Sequence, residues 1–411
     1  MMTLKQSLYL VLCLMVGVCT LSGCIDEYEA DLPSEDSDLL VVTGSICSSK
    51  VNTFVLTRSL PVNSALMPAS VNGASVSVRG SDGSEYIAQA AGDGYYTCQV
   101  DELAPDVQYY LHIEVDGDVY ESEPQKPLRT EKIADVTGVQ NTPESAIDIL
   151  VTPAEPFEPD KTNYYSWTYD ETWEVHPDYT TVIYFDIKTS TPVFDPYQFP
   201  LRGWKDAKGS TIMVGTSLSY EGQHIQRLKL YDIDRSHECM YYKYSGLVHQ
   251  RAITKAEYEY ELARRQASTE MGGLFTPLPS ALPSNIHCFT SNKRVIGFVG
   301  CALNTSDYRF FLNTADFTIH NPQGDERLWL EFEGLPDVKV DEYKAFLEKC
   351  RQLAYTMYLC EWINETDAAG GKLRTAWAYE SQLDVRYKGA YLEEPDFWSL
   401  KENGSYEGEK E

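Results

Sequence analysis

The cysteine at position 24 sits in the one run of residues whose order specifies chemistry. Leu21-Ser22-Gly23-Cys24 closes an apolar stretch, Leu8 to Val18, that is broken only by Gly17 and preceded by a single positive charge, Lys5. A bilayer span takes about 20 apolar residues, so this stretch is too short to be one and has the layout of a secretion signal. Small residues at 22 and 23 fit a signal peptidase. A cysteine directly after them fits lipoprotein processing, in which the thiol is acylated before the bond between Gly23 and Cys24 is cut. The expectation is that residues 1–23 are removed and that Cys24 carries lipid. Each buried methylene contributes about 0.8 kcal/mol, and two or more acyl chains hold a protein on a membrane stably.

Elsewhere the residue types offer fragments of sites. The seven histidines are His112, His176, His224, His237, His249, His287 and His320. None stands in HExxH, and the chain has neither a GxSxG elbow nor a phosphate-binding loop. His237 with Cys239 supplies two metal ligands where a site needs more. Asp232 and Asp234 offer too few oxygens for calcium and read better as a solvated strand end. Glu171 and Glu174 flank Trp173, and Glu257, Glu259 and Glu261 follow one another on a helix. A glycosidase needs two carboxylates at a set separation in a cleft, and 62 acidic residues make close pairs common. No catalytic residue, metal site or cofactor is assigned, and the chain is read as a non-enzyme.

Aromatic rings are the more informative excess. Tyr164, Tyr165, Trp167, Tyr169 and Trp173 crowd one segment. Flat rings at a surface stack on sugars or anchor protein partners. Alternate members, Tyr165, Trp167 and Tyr169, are expected to form one buried strand face. Tyr164 and Trp173 remain as the candidates for contact with a partner or ligand.

These residues belong to a chain of 411 residues, 43% hydrophobic and 12% aromatic, enough for two or three domains with real cores. The formal charge of −28 repels nucleic acid and anionic lipid, and no Lys/Arg stripe of the nucleic-acid-binding kind is present. Seven cysteines follow Cys24: Cys47, Cys98, Cys239, Cys288, Cys301, Cys350 and Cys360. Their irregular spacing indicates no disulfide framework and no structural zinc. Cys47 and Cys98 could bridge two strands or could each be a buried thiol.

Residues 24–38 carry seven acidic side chains and no basic one, so a flexible, self-repelling tether is expected there. Residues 39–130 read as a small β-sandwich. Ala74 to Arg79 alternates cleanly, Tyr109 to Val115 places Tyr109, Leu111, Ile113 and Val115 on one face, and Asp116-Gly117 marks a hairpin turn. Strands at this spacing fit an Ig-like or fibronectin-like sandwich. Residues 131–411 read as a larger β-rich domain with two inserted helices. The first is announced by Thr254 with Glu257 as a capping box and by Ile253 with Tyr258 as a hydrophobic staple. The second runs from about Asp341 to about Tyr358. The tail after Trp398 is expected to fray.

An ordered series of strings then resembles one family. It runs from Cys24 with acidic followers through LLVVTGSI and GDGYYTCQVDELAPDVQYYLHIEVDGDVYESEP. It continues with YYSWTYDETWEVHPDY, YKYSGLVHQRAITKAEYEYELARR, GGLFTPLPSALPSNIHC and KRVIGFVGCA, and ends at Pro395-Asp396-Phe397-Trp398. This resembles the outer-membrane lipoproteins of Bacteroidota grouped as domain of unknown function 4249. The resemblance implies an Ig-like N-terminal domain, a β-rich C-terminal one and a TonB-dependent outer-membrane β-barrel as partner. Asp26, Glu27, Glu29 and Asp31 resemble the signal that sends such lipoproteins to the cell surface. The resemblance supplies no catalytic residue. Many members carry cysteines shortly before the terminal motif, and Asp384 to Gly389 has none, which removes the expectation of a disulfide or metal there. The leading expectation is a surface-anchored accessory or binding subunit of a transporter. The alternatives are an independent adhesin or envelope-structural protein and, behind it, a glycan or peptide hydrolase.

Overall fold

The computed structural model describes residues 38–59, 67–159, 161–195, 199–209, 211–270, 284–322, 324–335, 340–367, 370–399 and 404–405. The signal segment with Gly23, Cys24 and the acidic residues Asp26, Glu27, Glu29 and Asp31 lie outside the described residues. The described chain is mainly β with a few helices, as the residue pattern predicts.

The first unit is a sandwich of two five-stranded sheets. Strand Lys50–Arg58 shows why it folds this way: Asn52, Phe54 and Leu56 are buried while Val51 and Thr53 are exposed, the period of two that gives a strand one wet and one dry face. Strands Ser75–Gly80, Tyr109–Val115 and Asp118–Ser122 build the facing sheet, and Val78, Leu111 and Ile113 meet Phe54 and Leu56 in a shared core. The Asp116-Gly117 turn has both residues at positive φ, 54° and 83°, the geometry that matches strand twist in a two-residue hairpin.

This sandwich does not end at residue 130. Ile286–Cys288 pairs antiparallel with Asp118–Ser122, and Val295–Gly297 pairs parallel with Leu40–Thr43. Each adds an edge strand to a different sheet, so residues 286–297 lie in the first unit, where the sequence placed them in the second. Ile286, Val295 and Val299 bury their side chains in the first core. Gly297, at φ +152°, is required at this junction, because a Cβ there would sit 2.4 Å from the Val42 carbonyl oxygen.

Beyond the first sandwich, the described residues form two large cores and a small cluster around Cys360, Ala378 and Leu383. The second unit is another sandwich. Its small sheet holds Ile133–Gln140, Ile147–Pro153 and Leu228–Ile233. Its large sheet is built on Tyr164–Val175, flanked by Gly203–Lys208 and Met213–Thr216 on one side and by Lys243–Ala252 and Ser306–Asn313 on the other. The third unit packs helix Val340–Leu353 on the sheet of Leu328–Leu335, Gly370–Ala378 and Tyr358–Asp367. Phe332, Phe346, Cys350, Leu373 and Trp377 fill the space between them, joined by Phe185 from the hairpin Ile183–Phe194.

The two sandwiches are joined by hydrogen bonds. Leu128 N–H donates to the Cys301 carbonyl (3.0 Å), and Leu303 N–H donates to the Leu128 carbonyl (2.7 Å). Thr130 and Asn304 exchange three bonds of 2.6–3.0 Å. Helix Lys255–Glu270 starts where predicted, with Thr254 Oγ1 accepting from Glu257 N–H at 3.1 Å. Only that half of the capping box forms, because the Glu257 carboxylate is engaged by Arg251. At the far end of the chain, Pro395-Asp396-Phe397-Trp398 lies on the outer face of the large sheet, and Gly404–Ser405 pairs with Tyr308 and Arg309.

Candidate functional site

Strand Tyr164–Val175 decides which of the predicted residues can act. Its alternation turns Tyr165, Trp167, Trp173 and Val175 into the core, each no more than 6% exposed. Tyr169 stacks on Tyr231 with ring centres 3.8 Å apart, so the expected buried face is present. Trp173 was expected as a contact residue and is instead a core residue, since it shares the odd-numbered face. Tyr164 is half-buried, with its ring centre 5.2 Å from that of Tyr258 on the capped helix. Neither ring is an open anchor.

The same alternation separates the two candidate acids. Glu171 faces inward and accepts from the Tyr244 hydroxyl at 2.8 Å; burial raises its pKa. Glu174 faces outward. Its Oε1 lies 2.6 Å from His176 Nε2, and its Oε2 accepts from Arg202 at 2.9 Å. Burial pushes the Glu174 carboxyl up, but Arg202 and His176 outweigh it and hold the pKa low. A strand residue and its third neighbour point to opposite faces, so Glu171 and Glu174 cannot serve one substrate.

Where the strand ends, the chain opens a cleft of about 330 Å³, walled by the second sandwich and by Asn321, Pro322, Gly324 and Glu326, just before strand Leu328–Leu335. Glu174, His176 and Asp178 come from the strand and its exit. Tyr242 precedes the strand Lys243–Ala252, and Lys388 comes from the C-terminal segment. The imidazole of His176 stacks on the Tyr242 ring, 3.8 Å away and 12° from parallel. The Tyr242 ring remains 38% exposed. Burial, then Asp178 and Glu174, raise the pKa of its hydroxyl. Lys388 Nζ donates to the His176 carbonyl (3.0 Å) and to Asp178 Oδ1 (2.5 Å). Glu238 pairs with Lys205, and Glu326 also lines the cleft. The arrangement is a ring platform ringed by carboxylates and a lysine, fitted to hold a polar ligand.

Sequence reasoning named Glu174 but not His176, Asp178, Glu238, Tyr242, Glu326 or Lys388 as site residues. The signal for the first two was the break in alternation at Pro177, directly after the aromatic crowd. A larger groove of about 610 Å³ runs between Val136–Pro143 and Phe311–Thr318, but Asp316 is the sole ionisable residue in its lining.

The other fragments resolve as structure. His237 Nδ1 accepts from Cys239 N–H at 3.3 Å, capping a short helical turn. Cys239 is buried, and burial drives its thiol pKa far up, so it is no ready ligand. Asp232 pairs with Lys229 at 2.7 Å, and Asp234 accepts from Ser236 N–H. Glu257 and Glu261 pair with Arg251 and Arg264. Among the described residues no group of three or more His, Cys, Asp or Glu could hold a metal ion. The seven described cysteines are free thiols, so Cys47 and Cys98 are not bridged.

Fold and cleft together define a multi-unit β protein with a polar, ring-lined cleft at the edge of its second sandwich. The model of the family described as domain of unknown function (DUF4249) matches residues 25–307, more than half of the chain, and the protein belongs to that family. The match covers the first sandwich with its returning strands and most of the second; the third unit's sheet and the Pro395–Trp398 motif lie beyond it. No curated protein matches the chain.

Proposed function

We propose that this protein is a surface-anchored outer-membrane lipoprotein, lipidated at Cys24, that serves as a non-enzymatic binding subunit of a TonB-dependent transporter. One observation carries the reading: every residue lining the ring-and-carboxylate cleft comes from the second sandwich or from the segments around Asp178, Gly324 and Lys388. The first sandwich, which the chain enters at Asp38, contributes none. The hydrogen-bonded joint at Thr130 and Asn304 holds the second sandwich against the first. A lipid-anchored stem carrying a separate cleft suits capture of a ligand beside a transporter. The transporter enters through the family resemblance.

The test is co-purification. The protein is tagged at its C-terminus, native membranes are solubilised gently, and partners are identified by mass spectrometry. A large β-barrel transporter in near-equal amount is the expected result. Recovery of the protein alone, even after cross-linking, overturns the accessory role.

A further inference from the structure

We infer that the cleft beside Tyr242 binds a neutral saccharide, with a sugar ring against the tyrosine and its hydroxyls on the surrounding carboxylates. The inference rests on the proposed binding role and names the ligand class for that same site.

The platform is set before any ligand arrives. His176 covers one side of the Tyr242 ring at 3.8 Å, and Glu174 fixes His176 in turn at 2.6 Å. A ring held in place this way loses little freedom on binding, and sugars present C–H faces that pack on such rings. The volume of about 330 Å³ lies within the range of small-ligand cavities, about 300–1,000 Å³.

The polar rim suits hydroxyls. Asp178 Oδ1 accepts from Lys388 and Glu238 Oε1 accepts from Lys205. A carboxylate has about four acceptor positions, so each retains lone pairs for a ligand O–H. Glu326 adds a further acceptor, while Lys388 and the Tyr242 hydroxyl are donors. A sugar hydroxyl both donates and accepts, which is what such a mixed rim requires.

Charge argues for a neutral sugar. Glu174, Asp178 and Glu238 already face Arg202, Lys388 and Lys205. A cationic ligand would bring its charge beside the positive charges of those partners. An acidic sugar would approach a chain of net charge −28.

The experiment is calorimetric titration of the full-length, detergent-solubilised protein. The neutral probes are maltohexaose, cellohexaose, xylohexaose, mannohexaose and chitohexaose (N-acetylated); the charged probes are spermidine and polygalacturonate. At least one neutral saccharide is expected to bind. Tyr242→Ala should weaken that binding about tenfold or more, the scale of lost aromatic stacking. Glu326→Gln, an exposed change that leaves the fold alone, should weaken it severalfold with the unfolding transition unmoved. Weaker binding in either folded variant supports the assignment. Binding of no neutral saccharide, binding of a charged probe alone, or wild-type affinity in every folded variant overturns it. Both variants should still co-purify the transporter. Loss of the transporter with saccharide binding intact would therefore sink the accessory role without touching the ligand assignment.

Discussion

Arg251 and Glu257 face each other across the start of the capped helix. Nη1 donates to Oε2 at 3.2 Å and Nη2 to Oε1, with 17% and 4% of the two side chains exposed. Burial works against the guanidinium charge, and the Glu257 carboxylate more than offsets it, so the Arg251 pKa is raised. Gly300 makes room for the pair: a Cβ there would lie 2.1 Å from Glu257 Oε2 and 2.7 Å from Arg251 Nη1. The strand preceding Gly300 belongs to the first sandwich, Arg251 to the second, and Glu257 to the helix that follows it. The pair therefore couples three parts of the chain.

Removing one partner leaves a largely buried charge alone. Glu257→Ala should cost about 3–5 kcal/mol, read as a lower urea midpoint. The double change Arg251→Met with Glu257→Leu should cost much less, because no charge is stranded. Equal losses in the single and double variants would show that packing, not charge, sets the cost.

Trp398 closes the outer face of the large sheet. It is 2% exposed, its ring centre is 5.9 Å from that of Phe311 and 6.3 Å from that of Trp204, and its carbonyl accepts from Lys243 Nζ at 2.6 Å. Trp398→Ala should lower stability by about 3–5 kcal/mol and speed proteolysis of the C-terminal segment. Thermal unfolding and limited trypsin digestion read the two effects. An unchanged melting temperature would mean that the motif only rests on the sheet.

Much of the fold was legible because local signals were strong. Asp116-Gly117 and Asp93-Gly94 specify their turns by positive φ, and Thr254 with Glu257 marks a helix start. The returning strands were not legible. Val295–Gly297 is three residues long and pairs parallel with Leu40–Thr43, about 250 residues away in the chain. A short apolar run states that it is buried but not against what. The site was half legible for a related reason. The aromatic crowd pointed to the right strand, yet a period of two decides which side of it faces solvent. That rule moved Trp173 into the core and Glu174 into the cleft, and the lysine that completes the site, Lys388, is supplied by a segment far along the chain.

His249 lies between two carboxylates on the outer face of the large sheet. Nδ1 is 2.9 Å from Asp307 Oδ1 and Nε2 is 3.4 Å from Asp170 Oδ2. Lys50 faces Asp307, and Lys208 and Arg309 lie near Asp170. Burial lowers the histidine pKa, but the two carboxylates outweigh it and raise it from 6.5 to about 9. The folded protein thus holds a proton that the unfolded chain releases. The stabilisation is fully present below pH 6.5 and is lost as pH rises through about 9. Its size is about 2 kcal/mol after allowance for the solvent at Asp170. Urea unfolding of wild type and His249→Gln should differ by that amount at pH 6 and converge above pH 9. A difference independent of pH would refute the bridging charge.

Cys288 should be the one described cysteine that reacts in the folded protein. It is half-buried, whereas Cys47, Cys98, Cys239, Cys301, Cys350 and Cys360 are buried. Burial pushes the Cys288 thiol up, but the hydroxyls of Ser291 (3.1 Å) and Thr290 (3.5 Å) outweigh it and lower its pKa. Burial raises Cys350 and Cys360 to about 11 and Cys301 to about 12. Since the thiolate is the nucleophile, brief treatment with iodoacetamide at neutral pH should modify Cys288 alone, and addition of urea should expose all seven. Peptide mass spectrometry locates the label. Cys288 sits in the strand that pairs with Asp118–Ser122, where Asp118 accepts from Thr290, Ser291 and Lys293. Early labelling at Cys301 as well would therefore mean that residues 286–302 peel from the first sandwich before the rest unfolds, and that the returning strands are its weakest edge.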